Sequence, residues 1–372
     1  MKRPFPEALV EPFLSDIVIE ILLRVPFKSL MRFKCVCKRW RSLISGPGFA
    51  RSHLQRLKAG DMVASQRIFK TSPLETIDYE ALDGGIGGGD HAVVVRAHEL
   101  SLDDACWEPL LVGSCDGLVC LHDPGRFLLY NPSTRECRDL PGLDLFELDE
   151  MFIGFGYDPR SHDYKIVQGD DTGNGQVVIF SLRSGSWRMT PVQQENHLAV
   201  SEQGVYWNGA LHWCVPAERR NKSETVIMSF DLSEEKFHQV LRAPEVNGDV
   251  VFEGLGVHGA SLLLYHCTVI NDLFEAWVTN DYKRGGSWMK LFSVLTDGVS
   301  VHKFVKIPAY TRSGKIVFQI DTNQMTLLNP EDDTYRIIPS KATGTTRPTH
   351  LYDEVGYSAD DLQELVHALS YG

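Results

Sequence analysis

Gly84-Gly-Ile-Gly-Gly-Gly89 is rich enough in glycine to suggest a phosphate cradle, but it lacks the Gly-Lys-Ser/Thr ending that such a loop needs. It reads as a loop. Gly154-Phe-Gly156 runs into Tyr157-Asp158-Pro159, and Pro159 prevents a helix from starting where a dinucleotide fold requires one. His212, between Trp207 and Trp213, has neighbours that suggest a metal or sugar site, but a strand histidine packed among aromatics is the better reading. The eight cysteines, at 35, 37, 106, 115, 120, 137, 214 and 267, form no CxxC pair and no nearby Cys/His set at zinc spacing. They are expected to be reduced and mostly buried. There is no HExxH, no GxSxG and no cysteine in a thiol-enzyme signature. Asn221-Lys-Ser is a formal glycosylation sequon, expected to be inert without a secretory signal. No catalytic residue, metal or cofactor is expected, so the relevant chemistry is recognition.

Composition agrees with that reading. The 372 residues are 43% hydrophobic and 23% charged, ordinary values for a globular chain. Its longest apolar stretch, Ile17 to Val25, contains Glu20 and Arg24 and is too short to span a membrane. The first dozen residues hold Glu7 and Glu11 without an apolar signal segment, which predicts a soluble protein of the cytoplasm or nucleus. The net charge of −12 is unevenly placed: residues 1–58 carry twelve Lys/Arg against four Asp/Glu, a net +8, leaving −20 on the remainder. A basic head on an acidic body suggests two different partners. The acidic body argues against broad binding to a phosphate backbone, and no membrane binding is expected.

The head spans residues 13–58. Ser15 caps a helix on which Ile17, Ile21 and Leu22 share a stripe, and Pro26 ends it. Ser29 is expected to cap a second segment, Leu30 to Ile44, with Leu30, Phe33, Val36/Cys37, Trp40 and Leu43/Ile44 on one apolar stripe. Lys34, Lys38, Arg39 and Arg41 fall off that stripe. Gly46-Pro47-Gly48 stops the segment, and Phe49 to Leu57 forms a short third helix. So few short helices bury little surface alone. The head could cap the body, read DNA or dock a protein. Basic residues beside a wide apolar stripe, with few Asn or Gln to read base edges, favour docking.

The body reads as short strands with a period of about fifty residues. Strand-to-turn corners end at Asn131, Ser181, Asp231, Asp281 and Asn329, and six or seven residues beyond them stand Cys137, Trp187, Phe237, Trp288 and Tyr335. A second set of turns opens each unit: Asp116-Gly117, His162-Asp163, Asn208-Gly209, His258-Gly259 and Ser313-Gly314. Two hairpins in fifty residues make one four-stranded blade of a β-propeller. Five blades are legible between about 108 and 340. A sixth is expected to combine strands from both ends, drawing on Met62 to Phe69, Ala92 to Glu99 and Thr345 to Tyr357, before a short helix at Ala359 to Leu369. The fold class is therefore α+β and multidomain: a helical head at 13–58, an all-β propeller of about six blades at 61–345, and a ring-closing strand and helix at 346–372. The four larger aromatics are expected to be largely buried between adjacent blades.

The series from Ile17 to Ser45 resembles the F-box of plant F-box proteins, with Phe13-Leu14 standing where Leu-Pro is usual and Pro12 one residue early. Val112 to Leu121, Leu129 to Glu136, Gly154 to Val167, Val205 to Trp213 and Phe230 to Ser233 resemble the F-box-associated, kelch-like domain of the same proteins. S-locus F-box proteins share this architecture with many relatives unconnected with pollination. The resemblance implies a substrate receptor of an SCF-type ubiquitin ligase, without catalytic residues, bound to a Skp1-like adaptor and through it to a cullin. It implies an adaptor face drawn from Phe13, Leu14, Ile17, Ile21, Pro26, Leu30, Val36, Cys37 and Trp40. The propeller would hold an unidentified target protein. Variable links between strands all leave a blade at the end opposite its tight turns, so Glu147, Asp149, Glu150, Asp170, Asp171, Glu218, Arg219 and Arg220 are the expected target-binding residues. A glycan reader on the same architecture and a DNA-bound regulator are the alternatives.

Overall fold

A computed structural model describes most of residues 16–59 and of the strands from 66 to 353; residues 1–15, 78–108 and 354–372, and several shorter stretches between strands, lie outside the described residues. The sequence candidates Phe13, Leu14, Pro26, the glycine loop at 84–89, the strand at 92–99 and the helix at 359–369 fall among those stretches.

The head contains four helical segments: α1 over 16–22, α2 at Phe27–Phe33, α3 at Lys38–Ile44 and α4 at Pro47–Ala59. The expected single segment from Leu30 to Ile44 is two helices. α2 begins beyond Pro26, before Ser29, and closes in a tight turn in which the Val36 amide donates to Phe33 O at 3.0 Å. Cys and Val are weak helix formers, and Cys37 adopts extended backbone (φ −157°, ψ 162°), its thiol accepting the Trp40 amide as cap of α3. The glycine-proline corner is also a start rather than only a stop. Pro47 occupies the first position of α4, where its missing amide costs nothing, and Gly46 O accepts the Ala50 amide. Leu22, Leu23, Leu30, Ile44 and Phe49 form the core of the head.

Among the described residues six sheets follow, four of them four-stranded. Blade I combines Gln66–Thr71 and Leu74–Ile77 with Thr349–Asp353 from the far end of the chain. Blade II runs from Leu110 to Pro141, blade III from Met151 to Pro191, blade IV from Val205 to Arg242, blade V from Gly254 to Leu295 and blade VI from Val305 to Ile338. Blade III gains a fifth, two-residue strand, Glu202–Gln203, parallel to its innermost one. The innermost strands of successive blades adjoin around a closed circuit, with Thr349–Asp353 between those of blades VI and II.

The fifty-residue period has a chemical cause. Asn131, Ser181 and Asp231 each end a third strand, and each side chain accepts amides of the turn that follows: Thr134 at 3.2 Å, Ser184 at 3.1 Å, and both Ser233 and Glu234 at 2.8 Å. Each turn then closes through a left-handed residue, Arg135, Gly185 or Glu235, whose amide returns to the same strand-end carbonyl. The opening turns at Asp116-Gly117 and Asn208-Gly209 have positive φ at both residues, the twist that suits a two-residue hairpin.

Trp187, Phe237 and Trp288 are half-buried rather than fully enclosed, because they sit on the outermost strands or, for Trp288, at the start of one. The Trp187 indole donates to Pro141 O of blade II at 2.8 Å, and the Trp288 indole to Arg242 O of blade IV at 2.9 Å. Phe237 packs across the blade junction on Phe152 and, within its own blade, on Trp213. The Tyr335 side chain lies outside the described residues. Helix α4 joins the two parts. Phe49 belongs to the core of the head, whereas Ala50 and Leu54 pack into the hydrophobic cluster of blades II and III. Two adjacent stripes of one helix thus serve two cores.

Candidate functional site

Helix α1 carries apolar residues on more than its packed side, leaving one acidic side at Asp16 and Glu20. Leu22 and Leu23 are buried and Val18 and Ile19 pack against the head core, yet Ile17 is 41% exposed and Ile21 57% exposed. An apolar stripe left outside an already packed one calls for a further covering surface. Val36, at the corner between α2 and α3, is 64% exposed. These three are joined by only Met189 and Met289 as large exposed hydrophobics among the described residues. The exposed apolar surface is therefore concentrated on the smallest part of the chain.

The other expected adaptor residues divide between surface and interior. Cys37 is exposed, Trp40 is half-buried against Phe33 with ring centroids 5.3 Å apart, and Leu30 is wholly inside the head core. Around the apolar surface stand Lys34, Lys38, Arg39 and Arg41, while Glu20 pairs with Arg24 at 2.7 Å and lies 3.9 Å from Arg56. The cysteines differ from expectation. None of the six described is in a disulfide, as expected, but Cys35, Cys37 and Cys137 are exposed rather than buried, the first two because the chain leaves α2 at the corner they flank.

On the propeller, the expected target residues lie outside the described residues, apart from the backbone of Asp170, which ends a strand of blade III opposite Met151. Antiparallel pairing within the four strands of blades II to VI does place the links after strands two and four at one end of each blade. His212 is buried beside Trp207, ring centroids 5.5 Å apart, and burial draws its pKa down to about 4 against the smaller pull of backbone bonds at Val205 and Ala210. That suits a packed neutral ring. Gly154 and Gly156 lie in the innermost strand of blade III, where a Cβ on Gly156 would meet Tyr206 at 2.3 Å. They are packing glycines. No group of three metal-binding side chains occurs among the described residues, and no described helix is long and apolar enough to cross a membrane.

Sequence reasoning missed a buried ionic junction between blades III and IV. The Lys165 ammonium lies 2.7 Å from Asp158, 2.8 Å from Glu235 and 2.7 Å from Leu232 O, and Arg188 also pairs with Glu235. Burial pushes the Asp158 carboxyl up, but Lys165, the Ser161 and Ser233 hydroxyls and the Arg160 amide together bring it down to about 2. Nothing local links Lys165 to Glu235, seventy residues further along the chain.

Comparison with known proteins agrees with both halves. The F-box domain family matches residues 15–52, and the F-box associated beta propeller domain family matches residues 89–357. The F-box/kelch-repeat protein At3g23880 of Arabidopsis thaliana is 31% identical over 93% of this chain and 96% of its own length. The F-box protein CPR1 of the same plant is 29% identical over 89% of this chain and 83% of its own length. An F-box followed by an F-box-associated propeller is what these matches describe, and the chain belongs to the plant F-box proteins that carry a C-terminal F-box-associated β-propeller domain.

Proposed function

We propose that this chain is the substrate-receptor subunit of an SCF-type ubiquitin ligase, working in the cytoplasm or nucleus. The head binds a Skp1-like adaptor and, through it, a cullin; the propeller holds the protein to be modified. The observation that carries this reading is the outward stripe of Ile17 and Ile21 on a helix whose inner side is already packed. Receptors of this kind act by proximity: holding a target lysine near a charged ubiquitin carrier raises its effective concentration without chemistry by the receptor. The target face is proposed to be the variable-loop end of the propeller, with Glu147, Asp149, Glu150, Asp170, Asp171, Glu218, Arg219 and Arg220. Mixed charge there suits a polar partner and salt-sensitive association.

The experiment is binding of the full chain to a purified Skp1-like adaptor. Ile17→Asp with Ile21→Asp should abolish binding and leave the melting temperature nearly unchanged, since both side chains face outward. Leu30→Ala, by contrast, should cost about 2–5 kcal/mol in the head, because Leu30 is core. Binding that survives the double aspartate change at unaltered affinity would remove α1 from the interface.

A further inference from the structure

A short pattern recurs one hundred positions apart, twice the blade period: Phe152-Ile-Gly154-Phe-Gly156 and Phe252-Glu-Gly254-Leu-Gly256. Both pairs of glycines lie in the innermost strand of a blade, III and V. In blade III the inner edge of that strand, facing the axis of the ring, is already occupied. Glu202–Gln203 runs parallel to it opposite Phe152 and Ile153, and the Gly204 amide donates to Ile153 O at 2.7 Å. The Tyr206 hydroxyl donates to Tyr157 O of the same strand at 3.0 Å, and the Gln203 side-chain amide reaches Leu111 O of blade II.

The corresponding edge of Gly254–His258 carries no strand among the described residues. The two-residue loop Gly259-Ala260 makes His258 and Ser261 a hydrogen-bonded pair. Bonding then alternates along the hairpin, so the amides and carbonyls of Leu255 and Val257 point to the inner edge, as the carbonyls of Ile153 and Tyr157 do. All five residues of Gly254–His258 are half-exposed, whereas Phe152 to Gly156 and Leu111 to Gly113 are buried. The two glycines differ in cause. A Cβ on Gly254 would meet the Tyr265 hydroxyl at 2.4 Å, so packing demands glycine there. A Cβ on Gly256 would find Leu263 at an ordinary 3.5 Å. A strand glycine that its own packing does not require commonly marks close approach by another backbone.

We infer that the inner edge of Gly254–His258 is a peptide-binding edge, to which an extended segment of the target protein adds as a parallel strand. Its main chain pairs with Leu255 and Val257 as Glu202–Gln203 pairs with blade III. Such pairing supplies affinity, and the half-exposed apolar strand suits small apolar side chains on the segment. Gly254 lies at the variable-loop end of blade V, so the edge opens onto the proposed target face. The inference rests on the receptor reading and adds the form in which the target is held: an extended stretch rather than a folded surface.

The test selects binders from a library of short linear peptides on the full chain, with binding of a purified Skp1-like adaptor measured alongside. Selected peptides should lose affinity about tenfold or more when alternate backbone amides are N-methylated, and keep it when the intervening amides are. Leu255→Pro, which removes one inward-facing donor and no bond within the blade, should weaken them to a similar degree. Met289→Pro, at the start of the outermost strand of the same blade, should leave them unchanged. Melting curves confirm that each variant is folded; if Leu255→Pro is not, the methylation pattern alone decides. Three results would overturn the inference while adaptor binding leaves the receptor reading intact: no peptide selected, tolerance of methylation at every amide, or loss of binding in Met289→Pro instead of Leu255→Pro. Peptides that behave as described on a chain unable to bind the adaptor would overturn the receptor reading and leave the edge.

Discussion

Asp158 shows what one buried carboxylate does for the ring. Its side chain is 2% exposed and bound to Lys165, Ser161 and Ser233, and its pKa is about 2 against an ordinary 3.8. The folded protein therefore binds fewer protons at this group than the unfolded chain. Its stabilisation is complete above about pH 4 and is lost as pH falls through about 2. The displacement corresponds to about 2 kcal/mol. Asp158→Asn should lower stability near pH 7 by at least that order, since Lys165 also loses a partner. Urea titrations of the two proteins from neutral pH to the lowest pH at which the native form persists should converge below pH 4. A constant difference across that range would mean that the carboxylate charge is not what stabilises this junction.

At the scale of elements, the repeated contact is the indole that reaches back to the preceding blade. Trp187 and Trp288 make the same bond, to Pro141 O and Arg242 O, from the outermost strands of blades III and V. Replacement by Phe keeps most of the ring and removes the donor, so each change should cost about 1 kcal/mol. Replacement by Ala should cost about 3 kcal/mol, the lower part of the range for large aromatics, because both rings are half-exposed. Similar losses at the two sites in chemical denaturation would show that the contact is a property of the repeat. Two neutral Phe variants would show that packing alone holds the junction. The corresponding sequence signal was strong: the turn acceptors at 131, 181 and 231 recur every fifty residues, and their hydrogen bonds are local. The break between α2 and α3 was less legible, since Leu30, Phe33, Trp40 and Ile44 keep a helical rhythm across it.

For the whole molecule, closure of the ring joins Thr349–Asp353 to Gln66–Thr71 over nearly the full length of the chain. The late strand occupies the innermost place in blade I and adjoins blades II and VI. Removing it would expose two strand edges and open the circuit. A chain ending before residue 346 should lose stability comparable with the ordinary total of about 5–15 kcal/mol and become protease-sensitive throughout the propeller. Retention of a cooperative melt at the original temperature would mean that the ring stays closed without this strand. Helix α4 makes a further connection at this scale, since Ala50 and Leu54 give the head a share of the propeller core.

Much of the architecture was local enough to be written in the sequence. Pro47 marks a helix boundary, Asp116-Gly117 and Asn208-Gly209 demand hairpin twist, and the apolar runs that follow them, Leu118 to Leu121 and Ala210 to Val215, become strands buried on both faces. The exposed site was legible as a stripe of types, Ile17, Ile21 and Val36, but not as a surface: Leu30 follows the same pattern and is fully enclosed. Helical spacing tells which residues share a side and leaves open whether another helix covers it. Lys165 and Glu235 are seventy residues apart, and Ala50 meets a core that begins sixty residues later. Only tertiary packing decides such pairs, because their energies depend on proximity and exclusion of water, which a pattern along the chain does not encode.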